Sequence, residues 1–351
     1  MVPAFDLSRR LARHSDGYLD VVARVLASGQ LLLGPELSRF ESDFALFAGG
    51  AACVGVASGA SALQMILAAL AVGPGDEVIV PAMTAVPTAA AVCAVGATPV
   101  FADVGELTVA LDPAAAAAAV TARTKAVIAV HLYGRPADVA QIATATGLPV
   151  VEDCAQSHGA THKVIGAAAA YSFYPTKNLG GVGDGGAVVT DDDRLADHVR
   201  RQRVHGLADA YEHSLISQNF RMSELEAGWL ALTLSSLAAD NARRRHIVKA
   251  FHAAAPGLAW HAPHADHVYH LAVVHAGDRD EFRRHLAANG VATAVHYPLA
   301  LTQQPAYTKY VNRPCPNAEH WAAGCVSVPC FPELTDDEVA QICAALQSYP
   351  T

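Results

Sequence analysis

Charge is scarce in this chain: of its 351 residues only 16% are charged and 7% aromatic, and the balance is acidic, with a formal net charge of −9. That composition excludes a broad basic surface for nucleic acid or an anionic membrane, although a few local donors can still hold a small anion. Uninterrupted apolar runs of bilayer length are missing as well. Alanine-rich stretches such as AVPTAAAVCAVGA are broken by Gly and Pro, and the opening MVPAFDLSRRLARHSDGYLD has no apolar core of the secretory kind, so a cytoplasmic protein is expected. Seven cysteines are scattered from Cys53 to Cys343 without a C-x-x-C pair, which argues against a disulfide or zinc framework.

What is present is apolar: 52% of the residues are hydrophobic, enough for a large core and two domains. From about Cys53 to Asp192, short runs that read as buried strands (DEVIVPA, ATPVFADV, TKAVIAVHLYG, GLPVVEDCAQ, GGAVVTDD) alternate with stretches of helical character (SALQMILAALAVG, PTAAAVCAVG, DPAAAAAAVTA, ADVAQIATATG). Such a series predicts a mostly parallel sheet covered by helices, with ligands gathered at the carboxyl ends of its strands. RMSELEAGWLALTLSSLAADNARRR predicts one long helix bridging to a second domain. After His246 the chain is richer in His, Pro and aromatic residues, and VYHLAVVHA and VATAVHYP (strands) with RDEFRRHLAANG and TDDEVAQICAALQSY (helices) predict a small α+β domain. The division is drawn at 1–240 and 241–351.

One lysine stands out. In SFYPTKNLGGVGDGG, Lys177 precedes its glycines and is followed by Asn178, the reverse of a nucleotide-binding P-loop. The alternatives are a solvated lysine beside a turn and a buried amine held for Schiff-base chemistry. Glu152 and Asp153 end the strand in VVEDCAQ, either as a cap for the next turn or, for Asp153, as an ionised partner for a protonated ring nitrogen, as in a pyridoxal phosphate (PLP) enzyme. The turn from Ser58 to Ser61 opens a helix and offers free amides to a phosphate, or is a plain N-cap. Ser172 adds a hydroxyl, and Asn219 is a donor or a cap. His261, His264, His267 and His270 recur every three residues, but Pro263 and the strand-like HVYHLAVV break a helical metal-binding face.

LLLGPELSRFESDFALFAG, GDEVIVPAMT, KAVIAVHLYGRPADV, VVEDCAQSHGA, YSFYPTKNLGGVGDGGAVVT, NFRMSELEAG and VATAVHYPLALTQQPAY occur in an order that resembles the DegT/DnrJ/EryC1/StrS family of PLP-dependent sugar aminotransferases over nearly the whole chain. The resemblance implies an α/β, aspartate-aminotransferase-like fold of type I, PLP as cofactor, a homodimer, and amino transfer from L-glutamate to a keto sugar, usually nucleotide-linked. By position, Lys177 resembles the lysine that holds the cofactor covalently, Asp153 the residue facing the pyridine nitrogen, and Gln156 the polar residue beside the ring. Gly59, Ala60, Ser61 and Ser172 resemble the phosphate cradle, Asn219 the asparagine that reaches the phosphate of the neighbouring subunit, and His296 and Tyr297 sugar-site residues.

Four positions depart from the pattern. Ala60 stands where threonine is common, with Ser61 as a substitute hydroxyl; Ala85 stands where many relatives place a stacking aromatic; Ser217 replaces a frequent glycine and Glu226 a frequent glutamine. The family's sugar dehydratases carry histidine in place of the lysine, so Lys177 favours transamination. HYP followed by QQPAY resembles relatives acting on a dTDP-linked 3-keto-6-deoxyhexose. A 4-keto nucleotide sugar, a non-nucleotide keto sugar or cyclitol, and a non-catalytic regulator on the same fold stay open. Arg221, Lys309 and Arg313 are surface cations or contacts for a diphosphate.

Overall fold

The computed structural model describes residues 1–160 and 163–350. Two amphipathic helices come first, α1 (Leu7–Ser28), capped by the Asp6 carboxylate, and α2 (Pro35–Ala48), which buries Phe40 and Phe44. The alternating series comes next as β1 (Ala52–Val56), α3 (Gly59–Ala69), β2 (Glu77–Pro81), α4 (Val86–Ala94), β3 (Thr98–Ala102), α5 (Pro113–Ala119), β4 (Thr124–Val130), α6 (Val139–Thr146), β5 (Val150–Asp153), β6 (Ala168–Ser172), β7 (Gly186–Thr190) and α7 (Asp193–Gln202). The seven strands form one sheet in the order β1-β7-β6-β5-β4-β2-β3, in which β7 alone runs against its neighbours. The mostly parallel sheet is therefore as expected. All its strands are buried along nearly their whole length because helices cover both faces.

Beyond a short hairpin, β8 (Leu207–Asp209) and β9 (Glu212–His213), the single long helix expected from the sequence is two. α8 (Glu224–Leu234) stops at Ser235 and α9 (Leu237–Ala254) begins after Ser236, so the Arg243–Arg245 cluster lies mid-helix and not at an end. Serines at the break favour local side-chain bonds over helix continuation, and Ser235 and Ser236 both donate back to carbonyls of the preceding turn. The remaining elements are β10 (Ala259–Trp260), β11 (Ala272–His275), α10 (Arg279–Ala288), α11 (Pro316–Gly324), β12 (Cys325–Val328) and α12 (Asp336–Gln347). β10, β11 and β12 form a small antiparallel sheet. VATAVHYP is not a strand: Val291 bridges to Val2 and Ala294 to Ser327, and the rest is irregular. Val2 and Phe5 consequently pack with Phe251, Phe282 and Phe331, so the start of the chain shares a core with its last third.

α8 carries two inward carboxylates, one at the start of α2 and one against the loop after Lys177. Glu224 accepts from the amides of Gly34 and Glu36 (2.8 Å each) and so caps α2. Glu226 accepts from the Val182 amide (3.2 Å) through Oε2, while Oε1 has no partner among the described residues, and burial pushes its carboxyl up to about 7. A carboxyl raised by folding stabilises the protein fully below its unfolded value and loses that stability as pH rises through the folded one. Glu226→Gln should thus gain up to about 3 kcal/mol over the native chain at pH 8 and little at pH 4, read as urea-unfolding midpoints at the two pH values.

Candidate active site

The carboxyl edge of the sheet carries a cavity of about 300 Å³. Its wall is assembled from strand ends and the turns beyond them: Ser58, Gly59 and Ala60 after β1, Thr84 to Thr88 after β2, Val130 at the end of β4, Asp153 at the end of β5, Ser172 to Lys177 at and after the end of β6, and Asp184 and Gly185 leading into the reversed β7. The reversal matters for packing. Gly186 pairs with both Val56 and Ser172, bringing the ends of β1 and β6 to one point. There a Cβ on Gly186 would collide with the Ser58 carbonyl, and one on Gly59 would lie 2.6 Å from the Ser172 Cβ. Glycine at 59 and 186 lets the first turn of α3 abut the Ser172 hydroxyl.

That turn can take an anion. Gly59 and Ala60 open α3, so their amides have no acceptor within the helix and point along its positive end. Ser61, expected to supply a hydroxyl there, is turned away. Its Oγ accepts from the Ser58 amide (2.9 Å) and donates to the Ser58 carbonyl (2.8 Å), and its own amide is taken by Ser58 Oγ (3.1 Å). Ser58 and Ser172 line the cavity and Ser61 does not, and the Ser58 hydroxyl is itself held in the capping box.

Lys177 and Asp153 line this same cavity. The lysine backbone is fixed: its amide donates to the Tyr174 carbonyl (2.8 Å), and its carbonyl accepts from Nη1 of the buried Arg10 (2.9 Å), which also holds the Pro175 carbonyl. Burial pulls the ammonium down to about 8, against the upward pull of the Asp153 charge. Burial conversely pushes the Asp153 carboxyl up, opposed by bonds from the Ala155 amide and the Thr88 hydroxyl and by the charge of Lys177. Behind Asp153, His131 accepts the Ala137 amide at Nδ1 (2.9 Å), so its proton sits on Nε2, 3.1 Å from Glu152. Glu152 also takes the amides of Ile165 and Gly166, and is a structural anchor and not a cavity residue.

Gln156 faces the cavity with both ends tied: Oε1 accepts from the Tyr133 amide (2.7 Å) and Nε2 donates to Tyr297 Oη (3.1 Å). Tyr297 and Lys177, with Tyr174, also border a second cavity of about 310 Å³ that includes His270, His296, Ser327 and, from the start of the chain, Phe5. His296 is fixed by its Nδ1 contact to Ser327 Oγ (2.8 Å), and burial and Lys177 pull its pKa down. Asn219 is apart from both cavities, exposed, and accepts from Arg221 Nε (2.9 Å). Lys309 and Arg313 are equally outside them.

The glycines after Lys177 make room chiefly for protein: a Cβ at Gly180 meets the Pro175 carbonyl and one at Gly181 meets Glu226, while Gly185 borders the cavity. The spaced histidines are not on a helix; His261 bonds His267 (3.2 Å) and the Thr108 carbonyl (2.8 Å), His270 faces Asn178, and His264 is exposed. Thr84, Thr88, Tyr133 and Arg10 join the site without an expectation from the sequence, although two threonines four apart just beyond a strand's carboxyl end in PAMTAVPT are a readable signal.

A lowered amine across from a buried carboxylate, with an anion-binding helix start between them and β7, suits an aldehyde cofactor with a phosphate tail. Sheet and site together define an aspartate-aminotransferase-like enzyme of fold type I. Residues 14–347 match the model of the DegT/DnrJ/EryC1/StrS aminotransferase family, and the chain belongs to that family. It is 42% identical over 343 residues to dTDP-3-amino-3,4,6-trideoxy-alpha-D-glucose transaminase of Streptomyces venezuelae, covering 93% of this chain and 90% of that protein. To the UDP-N-acetyl-3-dehydro-alpha-D-glucosamine 3-aminotransferase of Acidithiobacillus ferrooxidans it is 39% identical, over 99% and 97% of the two chains. The crystal structure of S. venezuelae DesV in complex with a ketimine intermediate superposes with a TM-score of 0.95 at 40% identity, over 99% of this chain and 97% of that one.

The electrostatics carry a direct test in the protein without cofactor. With lysines isotopically methylated, one NMR signal should titrate near pH 8, vanish in Lys177→Ala, and move to lower pH in Asp153→Asn, because the carboxylate raises the lysine. A signal left in place by Asp153→Asn would disconnect the two residues.

Proposed function

We propose that this enzyme moves an amino group from L-glutamate to a nucleotide-linked 3-keto sugar, most closely a dTDP-linked 3-keto-6-deoxyhexose. The chain is a PLP-dependent sugar aminotransferase, and the two curated relatives named above both act at the sugar's third carbon. The observation that carries the reading is the placement of Lys177 and Asp153 in one cavity. PLP, when bound, supplies the electron sink that makes a carbon beside nitrogen acidic. Lys177 would hold the cofactor covalently between turnovers, and its freed Nζ would take the proton from the glutamate α-carbon as general base and deliver it as general acid to the carbon of the cofactor's aldehyde group, with the reverse transfer for the sugar. Asp153 keeps a proton on the ring nitrogen. Gln156 and Tyr297 set the ring's edge, the amides of Gly59 and Ala60 and the hydroxyl of Ser172 hold the phosphate, with Ser61 supporting that turn as its cap, and His296 and Tyr297 face the sugar.

A homodimer belongs to the proposal. Lys177 is the one Lys or Arg among the described residues bordering the two cavities, yet the phosphate, glutamate and the sugar diphosphate are all anionic. A second copy adds a further donor: Asn219, exposed and away from its own chain's cavities, is proposed to complete the neighbouring site. A cofactor domain of 1–240, a small domain of 241–351 and a cytoplasmic location complete the picture. The separate large and small sheets, which share no strand, support the division, while α11 and the start of the chain pack across it.

The test is the visible spectrum of the protein supplied with PLP. A lysine adduct that bleaches on adding L-glutamate, and that Lys177→Ala does not form, is expected. Multiple-turnover assays should then favour dTDP-linked 3-keto-6-deoxy acceptors over UDP-linked and 4-keto ones. No adduct in the native protein would return a regulatory role to first place, and a preference for a 4-keto acceptor would overturn the assignment of ring position.

A further inference from the structure

Each oxygen of the Asp153 carboxylate has its own donor. Oδ1 accepts from the Ala155 amide at 3.1 Å, and Oδ2 from the Thr88 hydroxyl at 2.9 Å. Because the Thr88 proton is committed to the carboxylate, the 3.1 Å contact between the Thr84 and Thr88 hydroxyls has Thr84 as donor. The result is a directed relay from Thr84 to Thr88 to Asp153. All three side chains are buried and all three border the cofactor cavity.

Neither hydroxyl is spent on the backbone. α4 has no side-chain cap at its start, where Ala85 occupies the capping position, so Thr88 is not serving the helix that carries it. Its place is nevertheless rigid: Pro87 fixes the first turn, and the β-branched side chain has few rotamers in a helix. An acceptor in the sheet is thus met by a donor from a separate covering helix, which sets the plane of the carboxylate as well as its charge.

We propose that Thr88, backed by Thr84, is a positioning residue that holds the Asp153 carboxylate ionised and oriented toward the cofactor's ring nitrogen, an inference that rests on the aminotransferase reading above. A hydrogen bond to the charged form favours that form, so removing it allows the carboxyl to take a proton at higher pH. The other groups facing Asp153 are Lys177 from the loop after β6, whose charge favours the carboxylate, His131 from just beyond β4, whose Nδ1 accepts the Ala137 amide, and Tyr297 from the small domain, whose own hydroxyl burial pushes up to about 12. They remain when Thr88 is changed, so the effect is partial and not a loss of activity.

The experiment uses PLP-loaded protein and follows the rate at which L-glutamate bleaches the lysine adduct between pH 6 and 9. Thr88→Val keeps the shape and removes the hydroxyl; it should slow the step about tenfold at pH 7 and displace the acid limb of the profile to higher pH. Thr88→Ser restores the donor and should bring both readouts back toward the native profile. Thr84→Val should shift the limb in the same direction by less. A Thr88→Val profile that coincides with the native one, or a rate loss with no movement of the limb and no rescue by serine, overturns the proposal. Should Thr88→Val not fold, Thr84→Val decides: a displaced limb supports the relay and an unmoved one overturns it. A native protein that forms no adduct removes the aminotransferase reading and this inference together, whereas an intact native adduct with unmoved variants removes the relay alone.

Discussion

A buried amine and a buried carboxylate attracting each other across a cavity are the constraint around which this molecule is organised. Neither charge is comfortable without water: burial lowers Lys177 and raises Asp153, and each offsets part of the other's cost. Arg10 and the Tyr174 carbonyl fix the peptide of Lys177 on either side, so the amine reaches the cavity from an anchored backbone. A site poised in this way is useful because a ligand that separates and contacts both charges replaces the water they lost.

The loop between Lys177 and β7 is shaped by the same economy of space. Its Gly180 and Gly181 pass the Pro175 carbonyl and Glu226, and Gly186 at the start of β7 passes the Ser58 carbonyl, at distances no side chain would tolerate. Chain reversal at β7 is the result, and with it the meeting of the α3 turn and Ser172. Cofactor-sized space arises because protein backbone is packed so closely beside it.

Much of this was legible in the sequence where burial acts uniformly. β2, β3, β4 and β7 are short, mostly apolar and bounded by turns, and β5 opens on two valines before its carboxylates, so a covered sheet follows from composition. β1 (ACVGV) and β6 (AAAYS) are rich in Ala and Gly, residues with weak strand preference, and are strands because their neighbours on the sheet make them so. The irregular VATAVHYP has the apolar content of a strand, but its partners, Val2 and Ser327, lie at opposite ends of the chain and no local pattern announces them. In the site, Lys177 and Asp153 were visible because their chemistry is unusual in an apolar setting. Arg10 and Tyr133 were not, since one acts through a bond to a residue 167 positions away and the other through a backbone turn that spacing does not encode, while the Thr84–Thr88 spacing was readable but its partner, Asp153, 65 positions on, was not. Ser61 shows the converse: the right residue at the right place, drawn off by the helix it begins.

Arg10 ties the tenth residue to the lysine at 177, and Gln156 ties the sheet to a tyrosine at 297. The reactive centre is therefore sewn from three distant stretches of the chain, and no contiguous fragment short of nearly the whole protein contains it. The seven strands of the large sheet end at residue 190, so a chain cut anywhere between there and residue 297 keeps every strand of that sheet and lacks one wall of the centre.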